Sequence, residues 1–466
     1  MRAAGGTYYV GSTDGANSVT TGCADAANTT CTLRGAVAQN GTDDGGGTVR
    51  FSSMFPATPT SITLPGEQTI TKNLMIDGTG HRVTINGGGS GFDTRRLFTV
   101  NGGVTFAVTG ITLTGGNLNG GNRGGAIFNS GTLTVTDSTI SGNSAITGYG
   151  GGIYNNYGTV TLTNSTLSNN SAPGANGGGI ANVGGTLTVT NSTLSGNSAR
   201  PGNGGGIYND ATGMASLTNS TVSGNSASLN GGGIYNLRGM VTLRNSTISG
   251  NSAPLEGGGI WNFGTVNAAN TLIVNNGTSP YGEVSPYGIG TNIRNLTGPF
   301  AFANGETTPQ DHGGPTRTLA IPTPTTPTAT DAYQRGDLAT CNAIPPDGTP
   351  GGIYDGRGAP RVVGGTCSIG AYEPGLVTTA TTVTANSTGG PFGTSVTFTA
   401  TVRGVRGDVP PDSTATVTFT NGTTALGTAN LTGGTGTYTT ATLPPGNSDT
   451  AGGAGNPYAS SPPRTR

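Results

Sequence analysis

Six isoleucines set the frame of this chain. Ile127, Ile153, Ile180, Ile207, Ile234 and Ile260 follow one another at 26, 27, 27, 27 and 26 residues. Around them one sentence is written six times between about 124 and 277, as in GGGIYNNYGTVTLTNSTLSNNSA from Gly151 and GGGIANVGGTLTVTNSTLSGNSA from Gly177. A fixed period of this length marks stacked repeats, each burying its apolar face against its neighbours. Inside a repeat the pattern alternates in twos: in TLTVT (132–136), Leu133 and Val135 face one side and the threonines the other. The residues are β-branched and glycine-interrupted, with no i, i+3, i+4 stripe, which excludes helical solenoids. A leucine-rich repeat is excluded too, because its leucine scaffold is missing. Three short strands per coil of about 27 residues predict a right-handed parallel β-helix. If 50–330 is all β-helix, about ten coils stacked ~4.8 Å apart give a rod on the order of 50 Å long.

Other columns run in step with the isoleucines. One holds Asn129, Asn155, Asn182, Asn209, Asn236 and Asn262, and a second holds Asn143, Asn170, Asn197, Asn225, Asn251 and Asn276. A turn amide stacked on its counterpart can both donate and accept, so these columns predict structural amide ladders, with ligand contact as the lesser reading. The glycine triplets before the isoleucines predict positive φ and tight turns. They lack a phosphate-loop pattern.

Composition agrees with a solenoid. There are 87 glycines, and charged residues are 9% of the chain. No three-residue glycine period suggests collagen. The net charge of −1 provides no field to attract nucleic acid. Lys72 is the single lysine, which argues against lysine-based catalysis. No stretch reaches the roughly 20 apolar residues of a spanning helix. The opening MRAAGGTYYV lacks the apolar region of a signal peptide, and the expectation is that one precedes it. The cysteines fall in two local pairs, Cys23/Cys31 and Cys341/Cys367, which read as disulfides of an oxidising compartment. No third or fourth ligand with zinc-site spacing accompanies either pair, and no metal or cofactor is expected.

Several segments resemble one bacterial family. GCADAANTTCTLRGAVAQN (22–40) resembles the CSLREAI-type segment that opens many secreted β-helix proteins, with Gly35-Ala36-Val37 in place of Glu-Ala-Ile. LRGAVAQN can form a short helix covering the first coil, within an N-terminal cap over 1–49. HGGPTRTLAIP (312–322), Cys341, DGRGAPR (355–361) and CSIGAYE (367–373) resemble the choice-of-anchor Q domain. GGAI (124–127) and the SGN and NSA sites are similar to repeats of polymorphic outer-membrane proteins. The resemblance implies a bacterial surface or secreted protein, with a C-terminal cap region over 331–375. Residues 377–445 resemble a bacterial Ig-like repeat, a partial β-sandwich, and 446–466 reads as a disordered tail without strands.

Since a β-helix also carries polysaccharide lyases and hydrolases, catalysis needs a direct search. Hydrolysis wants two carboxylates about 5–10 Å apart. Across the six repeats the carboxylates are Asp137, Asp210 and Glu256, scattered over the coil. Asp137 lies in the turn column of Asn164, Asn191, Asn219 and Asn245. A lyase wants acidic calcium ligands and an arginine. Asp43 and Asp44 fall in the cap, and Arg95 and Arg96 near Asp93 read as a solvated loop with a local ion pair. His81 and His312 occupy turn contexts and read as structural.

Two surfaces could bind. The residue after each isoleucine gives Phe128, Tyr154, Ala181, Tyr208, Tyr235 and Trp261, an outward aromatic column suited to sugar rings or partner side chains, or else to stacking on itself beneath a lateral loop. Thr132/Thr134/Thr136, Thr159/Thr161/Thr163 and Thr186/Thr188/Thr190 form a hydroxyl array that breaks at Met214–Leu217 and Met240. It resembles the ice-binding faces of some β-solenoids, although ordinary β-propensity explains it as well. The leading expectation is a secreted or cell-surface protein acting in adhesion, recognition or envelope structure, with glycans or surface proteins as partners. The alternative is a polysaccharide-active enzyme, and ice binding is a minor one.

Overall fold

The computed structural model describes residues 6–298 apart from 14–18, 20–22, 28, 43–45, 54, 56–58, 89–94, 122, 211, 278–282, 287–288 and 294. It also describes 309–310, 379–386, 395–404, 416–421, 424–430, 432, 435–441 and 459–460. Cys341, Cys367, His312, Asp43, Asp44, Asp93 and the segment expected to form the C-terminal cap lie outside the described residues.

The repeat builds a parallel β-helix. In the coil from Ile153, strands Ile153–Asn156, Thr159–Thr163, Thr166–Ser168 and Ser171–Ala172 follow in turn. Each pairs in parallel with its counterpart one coil away, forming four sheets. Sheet A (11 strands) contains Thr159–Thr163, sheet B (10) contains Thr166–Ser168, sheet C (9) contains Ile153–Asn156 and sheet D (5) contains Ser171–Ala172. Sheet D is a difference from the expected three strands per coil. Its members are Asn117–Leu118 and four Ser-Ala pairs, too short to show an alternation that periodicity could detect.

Register follows the isoleucines. Ile127 pairs with Ile153, Ile153 with Ile180, Ile180 with Ile207, Ile207 with Ile234 and Ile234 with Ile260, and all six are inaccessible. They share one interior with Leu133, Val135, Val160, Leu162, Leu187 and Val189 of sheet A. Within the glycine triplets the members differ in what they do. Gly150 has φ 72°, while a Cβ on Gly151 would meet the carbonyl oxygens of Ser171 and Gly178 at 2.3 Å. The first glycine turns the chain, and the second lets neighbouring backbones touch.

The N-terminus closes as expected, with one addition. Helix Leu33–Thr42 buries Leu33, Ala36 and Val37. Thr32 caps it, its Oγ1 accepting from Gly35 N at 3.1 Å. Cys23 and Cys31 are disulfide-bonded. The segment read as cap alone also carries Gly6–Val10, which pairs with Gly47–Phe51 as the first strand of sheet A. Its alternation is short, but Tyr8 and Val10 face the core.

Two three-stranded antiparallel sheets follow in the later sequence. Phe398, Ala400, Val417 and Phe419 form their own small core. Ala459–Ser460 pairs with Thr416–Asn421, so the region read as a strandless tail supplies a short strand. That strand covers one edge of Thr416–Asn421, an edge left unpaired if the chain's strands ended at 445.

Candidate functional site

The aromatic column lies on the opposite side of sheet C from the isoleucines, in a cluster of its own. Phe128, Tyr154, Ala181, Tyr208, Tyr235 and Trp261 are in register from coil to coil. Outward direction does not make it open. Tyr154, Tyr208 and Tyr235 are 1%, 6% and 8% exposed, so three of the five predicted ligand-contact residues are closed to a ligand. Rings cover rings. Tyr208 and Tyr235 stack at 5.2 Å and 7°, and Tyr235 and Trp261 at 4.2 Å and 3°. Ala181 would leave a gap. Tyr149, from the loop that leads into the Ile153 coil, packs on Tyr208 at 5.8 Å, while Arg123 lies over both Tyr149 and Tyr154 at 5.4 and 5.0 Å. Arg123 also donates to Tyr154 Oη at 2.7 Å. Burial, followed by the charge of Asp210, pushes the Tyr208 hydroxyl far above its ordinary range. Burial raises Tyr154 and Tyr235 too, with Arg123 opposing the rise at Tyr154.

Arg96 closes the N-terminal end of this column. Its guanidinium sits 5.1 Å over Phe128 and pairs with Glu67 at 3.2 Å. It also donates to Thr99 Oγ1 and to the carbonyls of Arg123 and Gly124. Its side chain is 11% exposed, so the expected solvated loop is instead a packed anchor. Burial lowers its pKa, and Glu67 opposes that.

At the C-terminal end the column opens. Trp261 is half-buried, and the residue paired with it in the next coil is Ser285, which continues no ring stack. Phe263 lies beside Trp261 at 5.9 Å and 12° and is 40% exposed. Glu256 Oε2 accepts from Trp261 Nε1 at 2.9 Å. Two nearly parallel rings with a carboxylate at the edge of Trp261 make a platform on which an apolar sugar face can pack while its hydroxyls reach a charged acceptor. Phe263 and Glu256 were not assigned to a binding surface from sequence, because they lie outside the i+1 column.

Both asparagine columns are buried ladders. The first runs Asn129→Asn155→Asn182→Asn209→Asn236→Asn262, each Nδ2 donating to the next Oδ1 at 2.7–2.9 Å. The second runs Asn143→Asn170→Asn197→Asn225→Asn251→Asn276 at 2.8–3.0 Å. Backbone N–H groups join it, as Asn143 N donates to Asn170 Oδ1 at 3.0 Å. Glu283 terminates it, with Oε2 accepting from Asn276 Nδ2 at 2.6 Å. A serine ladder, unread in the sequence, lies at the turn between sheets A and B. There the backbone N–H groups of Ser138, Ser165, Ser192 and Ser220 each donate to the next serine Oγ. The NST triplets could have signalled it.

The remaining candidates scatter. Asp137 (φ 47°) shares the left-handed turn conformation of Asn164, Asn191, Asn219 and Asn245. Asp210 stands beside Tyr208, and Glu256 holds Trp261. His81 packs against Phe51 and Phe55, each at 5.9 Å. The threonines align by register but are partly covered, with Thr190 1% exposed. Met214 and Met240 stand exposed where the first threonine column breaks. No cluster of three metal-ligating side chains occurs among the described residues. No helix among them is long and apolar enough to cross a membrane.

Fold and side chains together define a parallel β-helix protein with buried polar ladders and one open aromatic end. No protein-family model matches the chain, and no curated protein or solved structure matches it either.

Proposed function

We propose that this is a secreted or cell-surface β-helix protein acting in adhesion, recognition or envelope structure without catalysis, and that it binds glycans at the C-terminal end of the aromatic column. The platform of Trp261, Phe263 and Glu256 carries this reading, as the place where a ring stack buried elsewhere ends beside an exposed ring. A pyranose presents C–H groups on its faces and hydroxyls around its rim, and the platform offers an aromatic surface with an adjacent acceptor. The resemblance of 22–40 and 312–373 to bacterial secreted and anchored proteins supports the location, as does the Cys23–Cys31 disulfide.

Trp261 is the sole tryptophan of the chain, so its fluorescence reports on this site alone. Titration with neutral and acidic glycans is expected to shift or quench that emission. Phe263→Ala should weaken binding about tenfold, roughly 1.4 kcal/mol, without loss of fold. A tryptophan signal indifferent to every glycan tested would remove the platform as a site. Release of reducing or unsaturated ends from uronate polysaccharides, with or without calcium, would overturn the non-catalytic reading.

A further inference from the structure

A concavity lies at the turn between sheets A and B, in the N-terminal half of the helix. It has a volume of about 610 Å³ and is lined by residues including Thr79, His81, Asp137, Thr139, Asn164 and Thr166. That volume is in the usual range for small-ligand sites.

Its origin is an interruption in a side-chain column. From Asp137 onward this turn carries Asp or Asn in the left-handed conformation: Asp137, Asn164, Asn191, Asn219, Asn245 and Asn270, with φ between 47° and 51°. One coil earlier the position is Gly110, with φ 66° and no side chain. One coil earlier still, residues 78–82 form a longer turn between strands Leu74–Asp77 and Val83–Asn86. The long turn raises one wall, Gly110 leaves the floor bare, and Asp137 and Asn164 form the opposite wall.

Donation along this column runs toward the groove. Asn219 Nδ2 donates to Asn191 Oδ1 at 3.2 Å, and Asn191 Nδ2 to Asn164 Oδ1 at 3.3 Å. Among the described residues, no acceptor takes up Asn164 Nδ2 and no donor reaches the Asp137 carboxylate. The ladder therefore ends with an amide donor and a carboxylate acceptor about one coil spacing, ~4.8 Å, apart. A hydroxyl both donates and accepts, so adjacent hydroxyls on one ring can satisfy both groups. A calcium ion needs six to eight oxygen ligands, and Asp137 is the one carboxylate lining the groove. The same carboxylate repels phosphate.

We propose that this groove binds an uncharged, hydroxyl-rich ligand of one or two sugar rings. The inference is independent of the Trp261 platform.

The chain has two histidines, so the imidazole nitrogen resonances of His81 can be followed in the full-length protein. Cellotriose, xylotriose and chitotriose serve as probes, with calcium chloride alone as the competing ligand. At least one oligosaccharide at millimolar concentration should shift the His81 signal saturably. Asp137→Ala should weaken that response about tenfold or more, a change of roughly 1.4 kcal/mol. Gly110→Asn, which fills the floor with the residue type later coils carry, should weaken it similarly. A Cβ at Gly110 meets backbone atoms of Gly78 and Thr79 at 3.3 Å, so that turn must give by a few tenths of an ångström, while asparagine is among the side chains that best tolerate its φ of 66°. Asp137→Asn serves as the folding control, since later coils carry asparagine there. Trp261 fluorescence should respond to glycans equally in all three variants, separating the two sites. The proposal is overturned if no trisaccharide moves His81, if the midpoint is unchanged in both Asp137→Ala and Gly110→Asn, or if calcium alone produces the shift.

Discussion

At the scale of the residue, the interior asparagines show why polar side chains can fill the inside of a turn. Asn182 Nδ2 donates to Asn209 Oδ1 at 2.8 Å and to Gly185 O at 2.9 Å, while its own Oδ1 accepts from Asn155. An amide satisfied on both sides avoids the roughly 1–3 kcal/mol cost of an unpaired buried group. The logic fails at the last rung, where no further asparagine follows Asn276, and Glu283 takes the place. Its carboxylate accepts from Asn276 N at 3.1 Å and from Nδ2 at 2.6 Å. Burial nevertheless raises its pKa, the Asn276 hydrogen bonds only opposing the rise. The folded state then holds the proton more tightly than the unfolded chain. Stability from this group is therefore greatest below the ordinary carboxylate range and falls as pH rises through the interval up to the raised value. Glu283→Gln keeps an oxygen acceptor and removes the charge. The expected outcome is a higher unfolding midpoint at neutral pH and a flatter stability profile across that interval, measured by denaturant titration at several pH values. An unchanged slope would show that Glu283 is not the responsible group.

At the scale of the element, strands, turns and cap were legible in the sequence to different depths. The isoleucine spacing gave the strand of sheet C and its register, and TLTVT gave sheet A, because both carry a period that side-chain alternation imposes. Sheet D was not legible, since two residues such as Ser171–Ala172 hold no period. Aromatic exposure was not legible either. The i+1 position fixes direction relative to Ile207, but Tyr149 and the rings of neighbouring coils decide whether Tyr208 meets water. Helix Leu33–Thr42 could be read because its apolar residues adjoin an uncovered first coil. This cap is held by the Cys23–Cys31 bond, eight residues apart. Closing so short a loop is worth about 2–3 kcal/mol on the chain-entropy account. Cys23→Ser with Cys31→Ser should lower stability by that order. Amide hydrogen exchange should show the loss concentrated in Gly6–Val10 and the helix, with the Ile180 to Ile260 coils little changed. Uniform loss of protection along the helix would contradict a local capping role.

At the scale of the whole molecule, a solenoid is a sum of coils and of interfaces between neighbours, so the unit of tolerated change is one complete coil. Residues 177–203 are such a unit: each end follows an asparagine, Asn176 or Asn203, and precedes a glycine triplet. Removing them places Ile207 beside Ile153, Asn209 beside Asn155 and Asn225 beside Asn170, so the interior column and both amide ladders close again. The excised coil also contains Ala181. Its removal brings Tyr208 next to Tyr154, filling with a ring the gap that Tyr149 now occupies. The deletion should therefore remain folded and cooperative, with less total β signal, and should release Tyr149 to solvent. Tyrosine nitration followed by peptide mapping measures that release. Removing 177–190 leaves a fraction of a coil, brings Gly196 to the rung of Asn182 and Thr221 to the rung of Ile207, and should abolish cooperative unfolding. If both deletions behaved alike, the vertical alignment of coils would not be what stabilises the rod.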